Sequence, residues 1–249
     1  MSAVRAIVFD LFDTIVDLHF TRLPATEVAG RTLPATLSFQ HDAIVARGHE
    51  IDFETFFTAL RASDRDLAAS HLDKGIELPT TLRFAQLVER LEIDDAELPG
   101  ILTQTHMGKI REVADTPAHH GAVLADLATR YRVGLCSNFS HTETALRILD
   151  AASLREHFDA VSVSEAVGVR KPRPEIFRHV LEALGTAPEE TVHVGDNLDA
   201  DVRGATEAGM RTIWVDRRVR DRDRALRDYQ GPAPTWTISD LSSIADLLR

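Results

Sequence analysis

The chain has 249 residues, 44% of them hydrophobic and 27% charged, enough for one large domain or one domain with an insertion. Its formal net charge of −11 argues against a general nucleic-acid binder, which would carry a basic face. One cysteine, Cys136, rules out an internal disulfide framework and fits a reducing compartment. No apolar run reaches the roughly 18 residues of a membrane span, and Asp10, Asp13 and Asp17 interrupt any signal-like stretch at the N-terminus. The expectation is a cytoplasmic protein with no membrane and no nucleic-acid partner.

In chain order, the first element is "RAIVFD" (5–10), a short apolar run rich in Val and Ile that ends on Asp10. Residues 17–115 carry no convincing strand. There, Phe53, Phe56, Phe57 and Leu60 mark one helix, and Phe84, Leu87, Val88 and Leu91 mark another at i, i+3, i+4, i+7. "DTPAHHGA" (115–122) leads out of this stretch, and Val123, Leu124, Leu127 and Tyr131 share a helical face. "RVGLCS" (132–137), "DAVSVS" (159–164), "TVHVG" (191–195) and "RTIWVD" (211–216) read as further buried parallel strands. Between them Ile176, Phe177, Val180, Leu181 and Leu184 form a helical stripe, with Gly185 as C-cap and Pro188 beyond it. "RRVRDRDRALRD" (217–228) alternates in sign and reads as a solvated surface segment. Leu241, Ile244, Ala245 and Leu248 make a last amphipathic helix. Strand alternating with helix predicts an α/β fold, a doubly wound parallel sheet, with a helical insertion after the first strand. The core domain is expected over 1–16 and 116–249, and the insertion over 17–115.

In such a sheet, ligands bind beyond the carboxyl ends of the strands. Asp10 and Thr14 stand at the first of those ends, and Ser137 and Asn138 at the second. Lys171 follows the third, and Asp196 and Asp201 follow the fourth. Taken singly, most have a structural explanation. Thr14, Ser137 and Asn138 suit helix N-caps, Lys171 suits the surface, and Asp196 and Asp201 suit the positive end of a helix. Asp10 resists this, because a carboxylate straight after "AIVF" needs partners.

Together and in this order, "FDLFDT", "LCSN", "RKPRPEIF" and "VGDNLDADVRGA" resemble the four motifs of the haloacid dehalogenase (HAD) superfamily, over the whole chain. The helical insertion is similar to that family's cap domain. The resemblance implies a hydrolase with Asp10 as covalent nucleophile, Ser137 and nearby amides holding the substrate anion, Lys171 neutralising charge and Thr14 orienting Asp10. It also implies a metal held by Asp10, the backbone carbonyl of Phe12 and the fourth-motif carboxylate. Covalent catalysis splits a hard step into two easier ones, and donors aimed at developing charge in a dry site supply several kcal/mol.

The motifs form a mosaic. Family phosphatases carry Asp two residues after the nucleophile, as general acid and base; here Phe12 stands there, on the dehalogenase side. "GDNLDAD", with Asp196 and Asp201, lies on the phosphatase side. Asp10, Asp196 and Asp201 against Lys171 would repel an anionic substrate, and a divalent cation removes the problem; Mg²⁺ suits oxygen ligands. The favoured expectation is a Mg²⁺-dependent phosphatase or phosphotransferase acting on a small anionic metabolite. Asp10, Asp196 and Asp201 would surround the metal, and Ser137, Asn138 and Lys171 the substrate.

A 2-haloacid dehalogenase is the alternative. Its pattern has a cap arginine, for which Arg31, Arg47 and Arg83 are candidates, and a Tyr where this chain has Phe177. A third reading is a HAD fold that only binds a metabolite or partner. His106, His119, His120 and His141 show no metal-ligand spacing and read as surface residues, and Trp214 as core. Monomer and homodimer are both compatible with the sequence.

Overall fold

The run Ala6–Phe9 forms a fully buried strand, β1, as an apolar tetrad with no alternation should. Five more strands lie parallel to it: β2 (Arg132–Ser137), β3 (Ala160–Val163), β4 (Thr191–Gly195), β5 (Arg211–Val215) and β6 (Trp236–Ile238). Their order in the sheet is β6-β5-β4-β1-β2-β3. β1 is therefore central, with Phe9 level with Leu135 of β2 on one side and Val194 of β4 on the other. This is a computed structural model, and it describes residues 3–28, 31–34 and 36–248, excepting the side chains at 26–28, 31, 33 and 34.

Parallel neighbours need crossovers, and helices supply them. Helix Pro174–Leu184 starts on proline, whose missing N–H costs nothing there, and ends at Gly185 in the left-handed conformation with φ 63°. Its stripe of Ile176, Phe177, Val180, Leu181 and Leu184 is buried in one cluster with Ala6, Val8 and Cys136 of the sheet. Each large apolar side chain buried this way contributes about 1.5–3 kcal/mol before conformational entropy is counted.

The chain divides into two compact units, Met1–Asp17 with Thr116–Arg249, and Leu18–Asp115. Among the described residues, the second unit holds four α-helices, Leu37–Ala46, Phe53–Ser70, Thr80–Arg90 and Leu98–Glu112. They enclose a core of Ile44, Phe56, Leu60, Phe84, Leu87, Leu98 and Leu102. Asp52 caps the second of these helices, its carboxylate accepting from the Thr55 N–H at 2.8 Å.

The unit also contains strands, contrary to the sequence reading: Ala25–Val28 pairs antiparallel with Arg31–Pro34. Four-residue arms rich in Thr and charge are too short to show an apolar period. β6 is another addition, a three-residue edge strand below the length at which alternation can be recognised. The final helix is shorter than expected, a 3₁₀ turn at Leu241–Ser243 followed by Ile244–Leu247.

The charged stretch 217–228 is only partly a solvated surface. Arg222–Asp228 is an exposed helix, but Arg217 donates to Asp17 (Nη1 to Oδ2, 2.8 Å) and Arg218 pairs with Asp13 at 2.9 Å. Their partners lie some 200 residues away, where sign alternation carries no information. Among the described residues, no helix is long and apolar enough to cross a membrane.

Candidate active site

Asp10 leaves the end of β1 with its N–H bonded to Val194 O at 2.8 Å, so the backbone of β4 fixes where the carboxylate starts. The chain then turns tightly. Ile15 and Val16 both donate to Leu11 O, and Asp13 sits at φ 57°, a conformation that Asp tolerates better than most residues. Lys171 meets Asp10 from the loop after β3. Its ammonium donates to Asp10 Oδ1 (2.6 Å), to Asp201 Oδ1 (2.6 Å) and to Cys136 O (2.8 Å), which uses all three of its protons. Asp201 also accepts from His193 Nε2 at 2.9 Å and, on its other oxygen, from the Asn197 N–H at 3.0 Å.

Gly195 makes the last of these contacts feasible. A Cβ there would stand 2.6 Å from Asp201 Cβ and closer still to its carboxyl carbon, so only glycine lets Asp201 come down on the end of β4. Asn197 caps the following helix, accepting from Asp199 and Ala200 N–H groups. Asp196 is anchored through its backbone, its carbonyl accepting from Trp214 Nε1 at 2.8 Å.

Electrostatics distinguish the three carboxylates. Burial raises Asp10 to about 6, even though Lys171 pulls it down. Burial and the charges of Asp10, Asp201 and Asp13 push Asp196 up to about 8. Burial would raise Asp201 too, but Lys171 and His193 outweigh it and hold the carboxyl below its ordinary value. Lys171 is buried as well, yet its two carboxylates hold it above the normal lysine range. The site thus carries more negative charge than its own cation balances, which is the condition under which a carboxylate retains a proton or binds a metal.

One ligand atom from each of Asp10, Asp196 and Asp201 lies within 4.8 Å of the others. An all-oxygen set of this kind fits Mg²⁺ better than a transition metal. Asp10 and Asp196 would offer the freer oxygens, since both oxygens of Asp201 already accept hydrogen bonds.

Ser137 and Thr14 are fully buried, and neither hydroxyl has a hydrogen-bond partner in the structure. The expected bond from Thr14 to Asp10 is therefore absent, and Lys171 holds that carboxylate instead. Both ends of the Asn138 amide meet the backbone of Lys171: its Nδ2 donates to Lys171 O (2.9 Å) and its Oδ1 accepts from Lys171 N–H (2.7 Å). Asn138 thereby sets the lysine loop, a task distinct from the substrate contact expected for it.

Phe12 is half-buried, its ring edge-on to Phe139 with centroids 4.8 Å apart, so the substituted position packs against the residue that follows the second motif. Phe177 is buried edge-on against His193 at 5.3 Å, where a tyrosine hydroxyl would need a partner.

His193 escaped the sequence reading, because one imidazole inside "TVHVG" looks like a strand interior. The surface assignment of the other histidines also needs correction. His120 is fully buried, and His106 is half-buried, its Nδ1 within 3.0 Å of Gln40 Nε2 and 2.8 Å of Thr36 Oγ1. His141 caps the helix Thr142–Ala151, and His119 is exposed. Trp214 lies in the core, as expected. Of the candidate cap arginines, Arg47 is held by Asp95 and Glu97, Arg83 is held by Asp64, and the side chain of Arg31 lies outside those described.

A carboxylate at the tip of the central parallel strand, a lysine from the loop after β3 and two further carboxylates beyond β4 define a HAD-type hydrolase. The chain belongs to the haloacid dehalogenase-like hydrolase family, whose model matches residues 4–209. It is 30% identical to a pyrimidine 5'-nucleotidase of Escherichia coli, over 67% of this chain and 69% of that one. With a glyceraldehyde 3-phosphate phosphatase of Pyrococcus furiosus it shares 27% over 100% of this chain and 95% of the relative. Among solved structures, a 2-haloacid dehalogenase from Pseudomonas syringae superimposes with a TM-score of 0.71 at 21% identity, covering 98% of both chains. A magnesium-bound HAD-hydrolase from Bacillus subtilis gives 0.62 at 20%, covering 100% of both.

Proposed function

We propose that the protein is a Mg²⁺-dependent hydrolase of a small phosphorylated metabolite, with Asp10 as nucleophile. The observation that carries this reading is the gathering of Asp10, Asp196 and Asp201 around one ammonium. A dehalogenase has no use for that surplus of negative charge, whereas a phosphatase needs the cation it attracts. The phosphatase relatives support the same choice. When bound, Mg²⁺ would neutralise the phosphoryl oxygens next to the carboxylates.

The chain's own groups do the rest. A carboxylate oxygen of Asp10 attacks phosphorus, the bond from phosphorus to the leaving oxygen breaks, and that oxygen leaves with the electron pair. Water then attacks the aspartyl phosphate, releasing phosphate and restoring Asp10. Lys171 stays charged and steadies Asp10 in both steps, and the Ser137 hydroxyl, which has no partner in the protein, donates to a phosphoryl oxygen. Asp201, His193 and Asn138 act through Lys171 as positioning residues.

Phe12 brings no proton to the leaving group. Substrates whose leaving group is already a stable anion, such as acyl or aryl phosphates, are therefore favoured over simple alkyl phosphates. The test is phosphate release from an aryl and an acyl phosphate, with Mg²⁺ and with a chelator, in wild type and Asp10→Asn. Metal-dependent turnover that vanishes in Asp10→Asn supports the reading. Halide release from 2-haloacids without phosphate release from either compound overturns it.

A further inference from the structure

A second cluster of possible metal ligands lies in the same unit. It consists of His119 and His120, at the start of helix His120–Ala128, and Asp240 before Leu241–Ser243. One ligand atom from each lies within 4.8 Å of the others, and the two imidazole rings meet edge-on with centroids 4.7 Å apart. His119 Nε2 is 2.9 Å from Asp240 Oδ2. Asp240 is itself aimed by the N–H and hydroxyl of Ser242, at 2.9 and 2.5 Å from its Oδ1.

An exposed His–Asp pair beside a helix cap would need no explanation beyond stability. His120 does. It is 0% exposed, and its Nδ1 lies 2.8 Å from Ile15 O. A carbonyl oxygen only accepts, so Nδ1 carries the proton and Nε2 is left with a bare lone pair. That Nε2 is buried without a hydrogen-bond partner, an unfavourable arrangement unless something else satisfies it. An imidazole whose Nδ1–H is fixed by a backbone carbonyl, with a free Nε2, has the outer-shell arrangement typical of metal-binding histidines. Arg217, whose charge reaches His120, pairs with Asp17.

We propose that His119, His120 and Asp240 form a second metal site, for a divalent transition ion of the Zn²⁺ class. Two imidazoles and one carboxylate suit such an ion and suit Mg²⁺ poorly, which separates this site chemically from the three carboxylates around Lys171. Three protein ligands leave a fourth position on the exposed side of His119 and Asp240. Through Ile15 the site braces the turn that follows Asp10.

The experiment is a Zn²⁺ titration by calorimetry on chelator-treated full-length protein in excess Mg²⁺. An Asp196→Asn background limits Zn²⁺ uptake by the carboxylate site. One equivalent of bound Zn²⁺ is expected, and His119→Gln at an exposed position and Asp240→Asn at a half-buried one should each weaken it by at least about 10-fold. His120→Ala should do the same if it folds; the two surface variants decide the matter without it. With Co²⁺ in place of Zn²⁺, the absorption spectrum should report nitrogen ligation that disappears in His119→Gln. No Zn²⁺ uptake by the parent protein, or uptake unchanged in both surface variants, overturns the proposal.

Discussion

Replacing Lys171 with methionine keeps the length of the side chain and removes the ammonium that Asp10 and Asp201 share at 2.6 Å each. All three side chains are nearly inaccessible to water, so solvent cannot take over the lost role. Two like charges would then face each other in a site that already holds Asp196. Breaking a buried ion pair by deleting one partner costs about 3–5 kcal/mol, mostly as the penalty for the charge left behind. For a chain of this size that corresponds to roughly 6–20 °C in thermal midpoint. The assay is thermal and urea unfolding with a chelator present, for Lys171→Met, Asp10→Asn and the double variant. Asp10→Asn removes one of the stranded charges, so the double variant should be more stable than Lys171→Met alone. A Lys171→Met protein as stable as wild type, or a strictly additive double variant, would refute the charge argument.

Phe12→Asp should raise turnover of an alkyl phosphate by about 10²–10⁴-fold while changing an aryl phosphate little, because it returns a general acid to the position beside Phe139; equal gains on both substrates would count against the leaving-group reasoning. Gly195→Ala should destabilise by about 1–3 kcal/mol and abolish turnover by forcing Asp201 off the end of β4, as read by urea unfolding and kcat. His106 titrates near 4 in the fold because it is buried, with Arg83 adding to the effect, whereas the unfolded chain titrates near 6.5. The unfolded state therefore binds the proton first, and stability falls between about pH 6.5 and 4, by at most about 3 kcal/mol. His106→Gln should flatten that slope in urea unfolding across the same range, and an unchanged slope would exclude His106 as its source. Cys136, pushed up to about 12 by burial, should resist alkylation in the folded protein at pH 8, which mass spectrometry after iodoacetamide would check.

What the sequence disclosed followed from a single rule. Apolar runs made parallel strands, and polar residues at their carboxyl ends had to converge. That placed Asp10, Ser137, Lys171, Asp196 and Asp201 at one end of one sheet. The rule cannot show what lies behind those residues. His193 alternates with valines inside β4, and its bond to Asp201 depends on a turn eight residues later. His120 reads as a surface residue because two adjacent histidines show no metal-ligand spacing, and its bond to Ile15 O, 105 residues away, lies beyond any local pattern. Arg217 and Arg218 find Asp17 and Asp13 across nearly the whole chain, a pairing no local pattern encodes. Asn138 was recognised as a site residue from its position, but only the geometry reveals that its amide holds the lysine loop.

The strand that carries Asp10 is first in the chain and central in the sheet, and its register partner for Phe9, Leu135, comes about 126 residues later. At a synthesis rate of roughly 5–20 residues per second, β1 waits about 6–25 s for a neighbour. The core of the insertion, from Ile44 to Leu102, is complete long before that. Its short-range helical contacts form quickly, whereas parallel pairing over such a separation is slow. The newborn chain therefore holds an organised helical body joined to a greasy, unpaired tetrad, Ala6–Phe9, and pulse-labelled hydrogen exchange should see the helices protected first. Asp10 is therefore synthesised well before either strand that flanks it in the sheet.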